Sequence, residues 1–433
     1  MKACIYTLGC RVNQYESDAI MQELKKLGAE IVSPSGEADI CIINTCTVTS
    51  ESDRKSKQII RRLISKNPDA LVIVTGCYSQ VNPEDAAKIP GVSLVVGNND
   101  KSVIAKKAIE LFSSRPQKCQ VIMSNIHSGK FDKMCVGAPL TRTRAFIKIQ
   151  DGCNSKCAYC IIPTARGSIR SNSLEDILSE AHGVVKEGCG EIVFTGIETA
   201  AYGKDLKSEH SLGDLLKKAN EIKGLERIRL GSLDPSAITA DFVDSIKFLP
   251  KVMPHFHISM QSGCTKTLNE MKRKYNADMA KRNIAYLKDA FPNAMLSADV
   301  ITGFPNETDE DFQATLDFFK EQRFLHLHIF PYSKREGTLA AAMSNQVPEE
   351  IKKKRLHLLE EQQKGIKKEL LEGFVSSVDC ATVLFESFNS GYIVGHTPNF
   401  IEVAVKSDRP RSGEFLSVKP IFTDGCLVFG ELI

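Results

Sequence analysis

Tryptophan is absent from the 433 residues, which by itself excludes nothing, and aromatics of all kinds make up only 7%. No apolar run approaches the ~20 residues that a membrane-spanning helix needs, so a helical span is excluded and no membrane partner is expected. The opening stretch, Met1-Lys-Ala-Cys-Ile-Tyr-Thr-Leu-Gly-Cys10, enters a strand pattern at once. It carries neither the apolar core nor the small-residue cleavage site of a secretory signal, so a cytoplasmic protein is expected. Charge of one sign is also lacking: 56 Lys and Arg face 53 Asp and Glu, a net +3. Any contact with nucleic acid must therefore come from local patches. With 42% apolar and 25% charged residues, the composition is that of a globular chain long enough for two or three domains.

Cysteine is not scarce: there are 14. In a reducing compartment these are metal ligands, catalytic groups or core residues rather than disulfides. Three of them stand in Asp151-Gly-Cys153-Asn-Ser-Lys-Cys157-Ala-Tyr-Cys160, directly after a strand-like run at 145–149. Three thiolates fill three corners of a cubane iron–sulfur cluster, which needs four, and leave one iron open to a small molecule. Zinc is the plainer alternative. It wants a closed tetrahedral set, and no His or fourth Cys lies within ten residues on either side.

Three further cysteines follow from the pattern of residues 1–112. Apolar runs at 3–8, 39–43, 71–74 and 93–96 read as strands, and 15–27, 52–65, 83–88 and 101–112 read as helices. Such alternation predicts a parallel α/β sheet. Cys10 follows the first strand, Cys46 the second and Cys77 the third, which puts all three at the carboxyl edge of one sheet, where open α/β sheets place their ligands. Together they are candidates for a second metal centre; separately each is an ordinary core cysteine. Most of the other eight, a set that includes Cys41, Cys189 and Cys380, read as small buried hydrophobes.

Two triads in this order resemble the methylthiotransferase family of radical SAM enzymes along essentially the whole chain. Within it, Thr7-Leu-Gly-Cys10-Arg-Val-Asn-Gln-Tyr-Glu-Ser17 and Asn44-Thr-Cys46-Thr-Val-Thr49 look like the branch acting on N6-threonylcarbamoyladenosine in tRNA. The branches acting on isopentenyladenosine and on a ribosomal protein carry Gln-Met-Asn and Pro-Lys-Asn where this chain has Arg11-Val12-Asn13. The resemblance implies two 4Fe–4S clusters and S-adenosyl-L-methionine (SAM). Cys153, Cys157 and Cys160 would hold the SAM-cleaving cluster, and Cys10, Cys46 and Cys77 the auxiliary one that presents sulfur. It also implies methylthiolation of carbon 2 of the modified adenosine beside the anticodon. The implied partners are the tRNA anticodon stem-loop, a reductant such as flavodoxin or ferredoxin, and a sulfur donor. The rivals are the same chemistry on isopentenyladenosine or a ribosomal protein, and a non-catalytic iron–sulfur protein that binds RNA.

The implied domains are an N-terminal α/β domain (1–112), a linker (113–141), a radical SAM domain with its connecting helix (142–372), and a TRAM domain (373–433). Six strands are expected in the third, at 145–149, 191–194, 227–230, 255–260, 295–300 and 326–330, resembling a partial (β/α)6 barrel. Polar residues at strand ends then become candidate SAM contacts, although each is equally a turn or cap residue: Tyr159, Gly196 and Glu198 in Thr195-Gly-Ile-Glu198, Gln261, Arg273 and Asp299. The family usually has Gly where this chain has Asn306. Residues 349–372 read as a charged amphipathic helix. Beyond Val375, short strands at 380–386, 391–394, 400–404, 414–418 and 426–431 predict a small antiparallel barrel of OB type, with Phe400 in its core. Tyr392, Arg409 and Arg411 on that barrel, and Arg54, Lys55, Arg61 and Arg62 on an N-terminal helix, are the candidate RNA contacts.

Overall fold

The computed structural model describes residues 1–433 apart from 115–117, 128–129, 138–142 and 208–209. Parts of the linker expected at 113–141, among them Pro116, Gly129 and Pro139, and the expected domain start at Arg142 lie outside the described residues.

β1 (Lys2–Thr7), β2 (Glu30–Ile31), β3 (Ile40–Thr45), β4 (Leu71–Gly76), β5 (Val92–Val96) and β6 (Gln120–Ile122) form one parallel sheet in the order β2-β1-β3-β4-β5-β6. β3 and β4 are buried throughout, and their near-continuous apolar runs are what a parallel strand covered on both faces requires. β2 and β6 carry little apolar pattern because they are short, partly exposed edges, and β6 falls in the stretch read as linker. The helix expected at 83–88 is preceded by another: Cys77–Val81 and Pro83–Ala87 are separate one-turn helices. Asn82 leaves helical backbone between them, and Pro83 opens the second at the position proline favours.

The central strands are β7 (Ala145–Lys148), β8 (Gln150–Asp151), β9 (Arg170–Ser171), β10 (Glu191–Thr195), β11 (Arg227–Leu230), β12 (His255–Gln261), β13 (Met295–Thr302) and β14 (His326–Pro331). Two parallel sheets, β7-β10-β11 and β12-β13-β14, are joined by the bridges Ile228–Val252 and Leu233–Ile258 into a six-stranded arc. Side chains alternate across it. Ile192, Phe194, Ile228, Leu230, Phe256, Ile258, Leu296 and Ala298 pack outward in the main core. Glu191, Arg227, Arg229, His255, His257, Asp299 and His328 occupy the alternate positions and give the barrel a polar lumen.

A helix at Glu349–Ser377, five residues longer than read from sequence, leads to β15 (Ala381–Asn389), β16 (Tyr392–His396), β17 (Glu402–Lys406), β18 (Phe415–Thr423) and β19 (Val428–Leu432). These close a barrel in the order β15-β16-β17-β19-β18, antiparallel except for the β17–β19 pair. Leu371 and Phe374 of the helix join Val383, Phe385, Ile401 and Val403 in its core.

Phe400 does not fill that core. It sits in left-handed backbone (φ 69°), which turns its ring outward between His255 and His396 at centroid distances of 4.5 and 4.3 Å. The Arg229 guanidinium lies 4.8 Å above the same ring. Arg229 also donates to the carbonyls of Thr397 and Pro398, and Arg227 to those of Thr382 and His396. Arg144 pairs with Glu191 and Glu386. The small barrel is thereby fastened under the N-terminal ends of the central strands.

Candidate active site

β1, β3 and β4 are neighbours, so Cys10, Cys46 and Cys77 emerge side by side at the carboxyl edge. Cys10 caps the helix Arg11–Lys26, Cys46 follows β3 directly, and Cys77 opens a one-turn helix after β4. A Cβ placed at Gly9 would lie 3.2 Å from the Cys46 sulfur, which shows how closely the first loop covers the second. Asn13 ties the two together by donating to the carbonyls of Leu8 and Thr45, at 2.8 and 2.9 Å. Burial, then the neighbouring Cys77, pushes the Cys46 thiol up to about 11, and burial raises Cys10 as well.

Beneath Cys77 lies a buried charge network between the two large domains. Arg166 is fully buried, and its Nε donates to the Cys77 sulfur at 3.3 Å. Its Nη1 reaches Glu16 at 2.5 Å and Asp151 at 3.2 Å. Lys148 pairs with Glu16 at 3.1 Å and Asp151 at 3.3 Å, Lys101 pairs with Glu16, and Arg170 lies 3.7 Å from Asp151. Burial opposes the ionisation of Glu16, but the three cations around it hold its carboxyl well below the usual range. On another side Arg335 donates to Asp53 at 2.5 Å and Thr47 at 2.7 Å, pinning the loop after Cys46 to the loop after β14.

The second triad follows β8. Gly152 has φ 73°, and a Cβ there would fall 2.0 Å from the Ser168 carbonyl oxygen, so only glycine admits the turn into Cys153. Glu198 lies 3.1 Å from the Cys153 sulfur. Burial and then this carboxylate push the Cys153 thiol up to about 12; burial pushes Cys160 up to about 11. Arg273 donates to the Cys157 sulfur at 3.2 Å, to the Tyr159 hydroxyl at 3.4 Å and to Asp234 at 2.7 Å. Gln150 bridges this loop to the next strand end: it donates to the carbonyls of Asp151 and Gly152, and accepts from the backbone N–H of Glu198 at 2.9 Å. Gly196 lies so close to Gln150 that a Cβ would meet it at 2.8 Å.

Tyr159, Gly196, Glu198 and Arg273 thus gather around the Cys153 triad. Asp299 sits within β13 and pairs instead with His257 at 3.1 Å. Gln261 ends β12 in left-handed backbone (φ 66°) at a register shift, a strained position of the kind that concentrates at functional sites. Asn306 has φ 67°, a region that Asn tolerates better than most residues, so the turn survives without glycine.

A single tetrahedral zinc would draw its sulfurs to about 3.8 Å of one another, given Zn–S bonds near 2.3 Å. Among the described residues, His257, Asp299 and His328 form the one His/Cys/Asp/Glu group whose ligand atoms all lie within 4.8 Å. Neither cysteine triad is drawn together that tightly.

Of the residues expected at RNA, Arg54 and Lys55 both lean on Glu51, whereas Arg61 and Arg62 are exposed. Arg409 is exposed and Arg411 pairs with Glu414. Tyr392 meets Phe429 edge-on, and Phe429 stacks on Phe422, which is 54% exposed. Phe422 escaped the sequence reading because β18 runs on past Pro420, which reads as a strand breaker. Arg166, Arg335 and Gln150 escaped it too, since each acts across a distance in sequence that no local pattern encodes.

Residues 147–319 match the radical SAM superfamily, and residues 2–97 match the uncharacterized protein family UPF0004. The chain is 39% identical over 418 residues to the threonylcarbamoyladenosine tRNA methylthiotransferase MtaB of Bacillus subtilis, spanning 96% of this chain and 92% of that protein. The protein of the same name from Aquifex aeolicus is 38% identical, over 86% of this chain and 90% of its own length. A tRNA-2-methylthio-N(6)-dimethylallyladenosine synthase of Acetivibrio thermocellus is 32% identical, over 96% and 88%. Among solved structures, the radical S-adenosylmethionine methyltransferase TsrM of Kitasatospora setae aligns with a TM-score of 0.55 at 15% identity, covering 76% of this chain and 72% of that one. At that identity the likeness is one of fold. No described helix is long and apolar enough to cross a membrane.

Proposed function

This chain belongs to the radical SAM methylthiotransferases, and we propose from that premise that it attaches a methylthio group to carbon 2 of N6-threonylcarbamoyladenosine beside the anticodon of tRNA. The observation that carries the reading is the pair of cysteine triads. One stands at the carboxyl edge of the N-terminal parallel sheet, and the other follows β7 and β8 at the carboxyl edge of the central arc. Residues 1–112 form the auxiliary-cluster domain, 142–372 the radical SAM domain with its helix, and 373–433 an RNA-binding TRAM domain, with 113–141 between the first two.

Cys153, Cys157 and Cys160 hold one 4Fe–4S cluster, and Cys10, Cys46 and Cys77 the other. When bound, these clusters and SAM supply a 5′-deoxyadenosyl radical at one centre and a transferable sulfur at the other, chemistry that breaks a carbon–hydrogen bond out of reach of acids and bases. The protein's own task is placement. Glu198 beside Cys153 suits the ammonium of SAM's methionyl group, and Arg273 beside Cys157 suits its carboxylate. Tyr159, Gly196, Gln261 and Asp299 complete the proposed contacts. Arg166 would offset negative charge on a cluster held at Cys77, and the network around it ties the loops that carry the two triads together. The exposed Phe422–Phe429 pair and Tyr392 offer rings for unstacked bases. Arg54, Lys55, Arg61, Arg62, Arg409 and Arg411 supply charge for the anticodon stem-loop. A cytoplasmic reductant such as flavodoxin or ferredoxin, and a sulfur donor, complete the system.

Mass spectrometry of tRNA nucleosides from cells lacking the gene tests the reading. The 2-methylthio form of threonylcarbamoyladenosine should vanish while its precursor accumulates; loss of 2-methylthio-isopentenyladenosine instead would move the substrate to the other tRNA branch. In the isolated protein, Cys157→Ala should abolish SAM cleavage, while Cys46→Ala should keep cleavage and lose thiolation. Product from the Cys46 variant would refute the auxiliary role.

A further inference from the structure

Arg11 follows a proposed cluster ligand at the carboxyl edge of the N-terminal sheet. It lies within electrostatic reach of Arg144, Arg229 and Asp299, and it acts in turn on His255 and His328. Those are lumen residues contributed by five different strands or their approaches. The other lumen arginines are committed: Arg229 to Glu191 and two carbonyls, Arg227 to two carbonyls, Arg144 to Glu191 and Glu386. Asp299 is engaged by His257 at 3.1 Å, and the His328 ring stands 5.4 Å from that of His257. Arg11 alone among these guanidiniums is exposed and makes neither a hydrogen bond nor an ion pair among the described residues.

A charged fork left open inside a polar chamber fits an anionic ligand, and the planar guanidinium matches a carboxylate in particular. Given the threonylcarbamoyladenosine reading on which this rests, the substrate brings such a group on its N6 substituent. We propose that Arg11 binds the carboxylate of the threonylcarbamoyl side chain and so selects it over an uncharged N6 substituent. Carbon 2 and N6 border the same Watson–Crick edge of adenine. A residue next to Cys10 therefore grips the substituent while the Cys10 centre meets carbon 2. Burial keeps His328 below the ordinary histidine range, and a neutral imidazole beside Arg11 suits the threonyl hydroxyl.

The test compares three anticodon stem-loop RNAs carrying threonylcarbamoyl, its carboxamide, or isopentenyl on N6. Binding is read by fluorescence anisotropy and turnover by mass spectrometry, with anaerobically reconstituted full-length protein. Loss of a charge-assisted bond corresponds to on the order of tenfold to a hundredfold in affinity. Arg11→Gln should raise Kd and KM for the acid RNA by that factor, change kcat less, and leave Kd for the isopentenyl RNA alone. The natural protein should lose as much on passing from acid to carboxamide, and the variant should lose nothing further. Arg11→Lys should restore most of the binding, and iron content should match the natural protein throughout. Unchanged acid-RNA binding in Arg11→Gln, or an equal loss on acid and carboxamide, overturns the proposal. If the natural protein thiolates only the isopentenyl RNA, the substrate reading itself falls, and this inference with it.

Discussion

Gly76 ends β4 one residue before Cys77, with φ 100°. A Cβ there would lie 2.4 Å from both the backbone nitrogen and oxygen of Thr45, the residue before Cys46. Two proposed ligands thus depend on one missing methyl group. Gly76→Ala must either push β3 from β4 or leave left-handed backbone, and should cost on the order of 2 kcal/mol or more. A lowered melting temperature together with reduced iron content after reconstitution is the expected result; a fully loaded, equally stable variant would contradict it. At this scale the placement of the six cysteines behind strands was legible, because spacing and strand position are properties of the sequence. Arg166 was not: its partners Cys77, Glu16 and Asp151 come together only when two domains dock.

Among the elements, legibility followed burial. β3, β4 and β10 are apolar runs with turn residues behind them, and they stand within two residues of where the pattern puts them. β2 and β6 have no pattern to read, since exposed edges demand none. Helices hide their irregularities too. Leu174–Lys186 carries Glu180 inward, where it accepts from the Val136 N–H at 2.7 Å and stands 3.1 Å from the Tyr15 hydroxyl. Burial pushes its carboxyl up to about 7. The folded form then holds a proton that the unfolded chain releases near pH ~4.3. The stabilisation is complete below that pH and is lost as pH rises through about 7. Glu180→Gln should flatten the fall in stability between about pH 4.3 and 7, measured by urea unfolding across a pH series. A variant that keeps the natural slope would assign the slope to another group, Glu307 being the alternative, since burial pushes it too up to about 7.

For the whole molecule, RNA capture is assigned by the proposal to the small barrel and chemistry to the central one. The Tyr392–Phe429–Phe422 strip should bind unstacked bases, so Phe422→Ala is expected to weaken anticodon stem-loop affinity by about 1–3 kcal/mol per base unstacked. The salt dependence should stay nearly unchanged, because no cation is removed. Arg61→Ala with Arg62→Ala should do the reverse and shallow the salt slope; anisotropy titrations at several salt concentrations separate the two. The domain order was legible from the switch of hydrophobic period after Val375. The seating of the small barrel was not, because Phe400 reads as one more apolar core residue and instead turns outward onto His255. That outward ring makes the chamber's floor foreign to the domain that owns its walls. A central domain cut off at residue 377 would be open underneath, with Arg227 and Arg229 stripped of their carbonyl partners and water free to reach the radical's working space. Dryness and grip are inherited together, and a change in the 396–400 loop alters both at once.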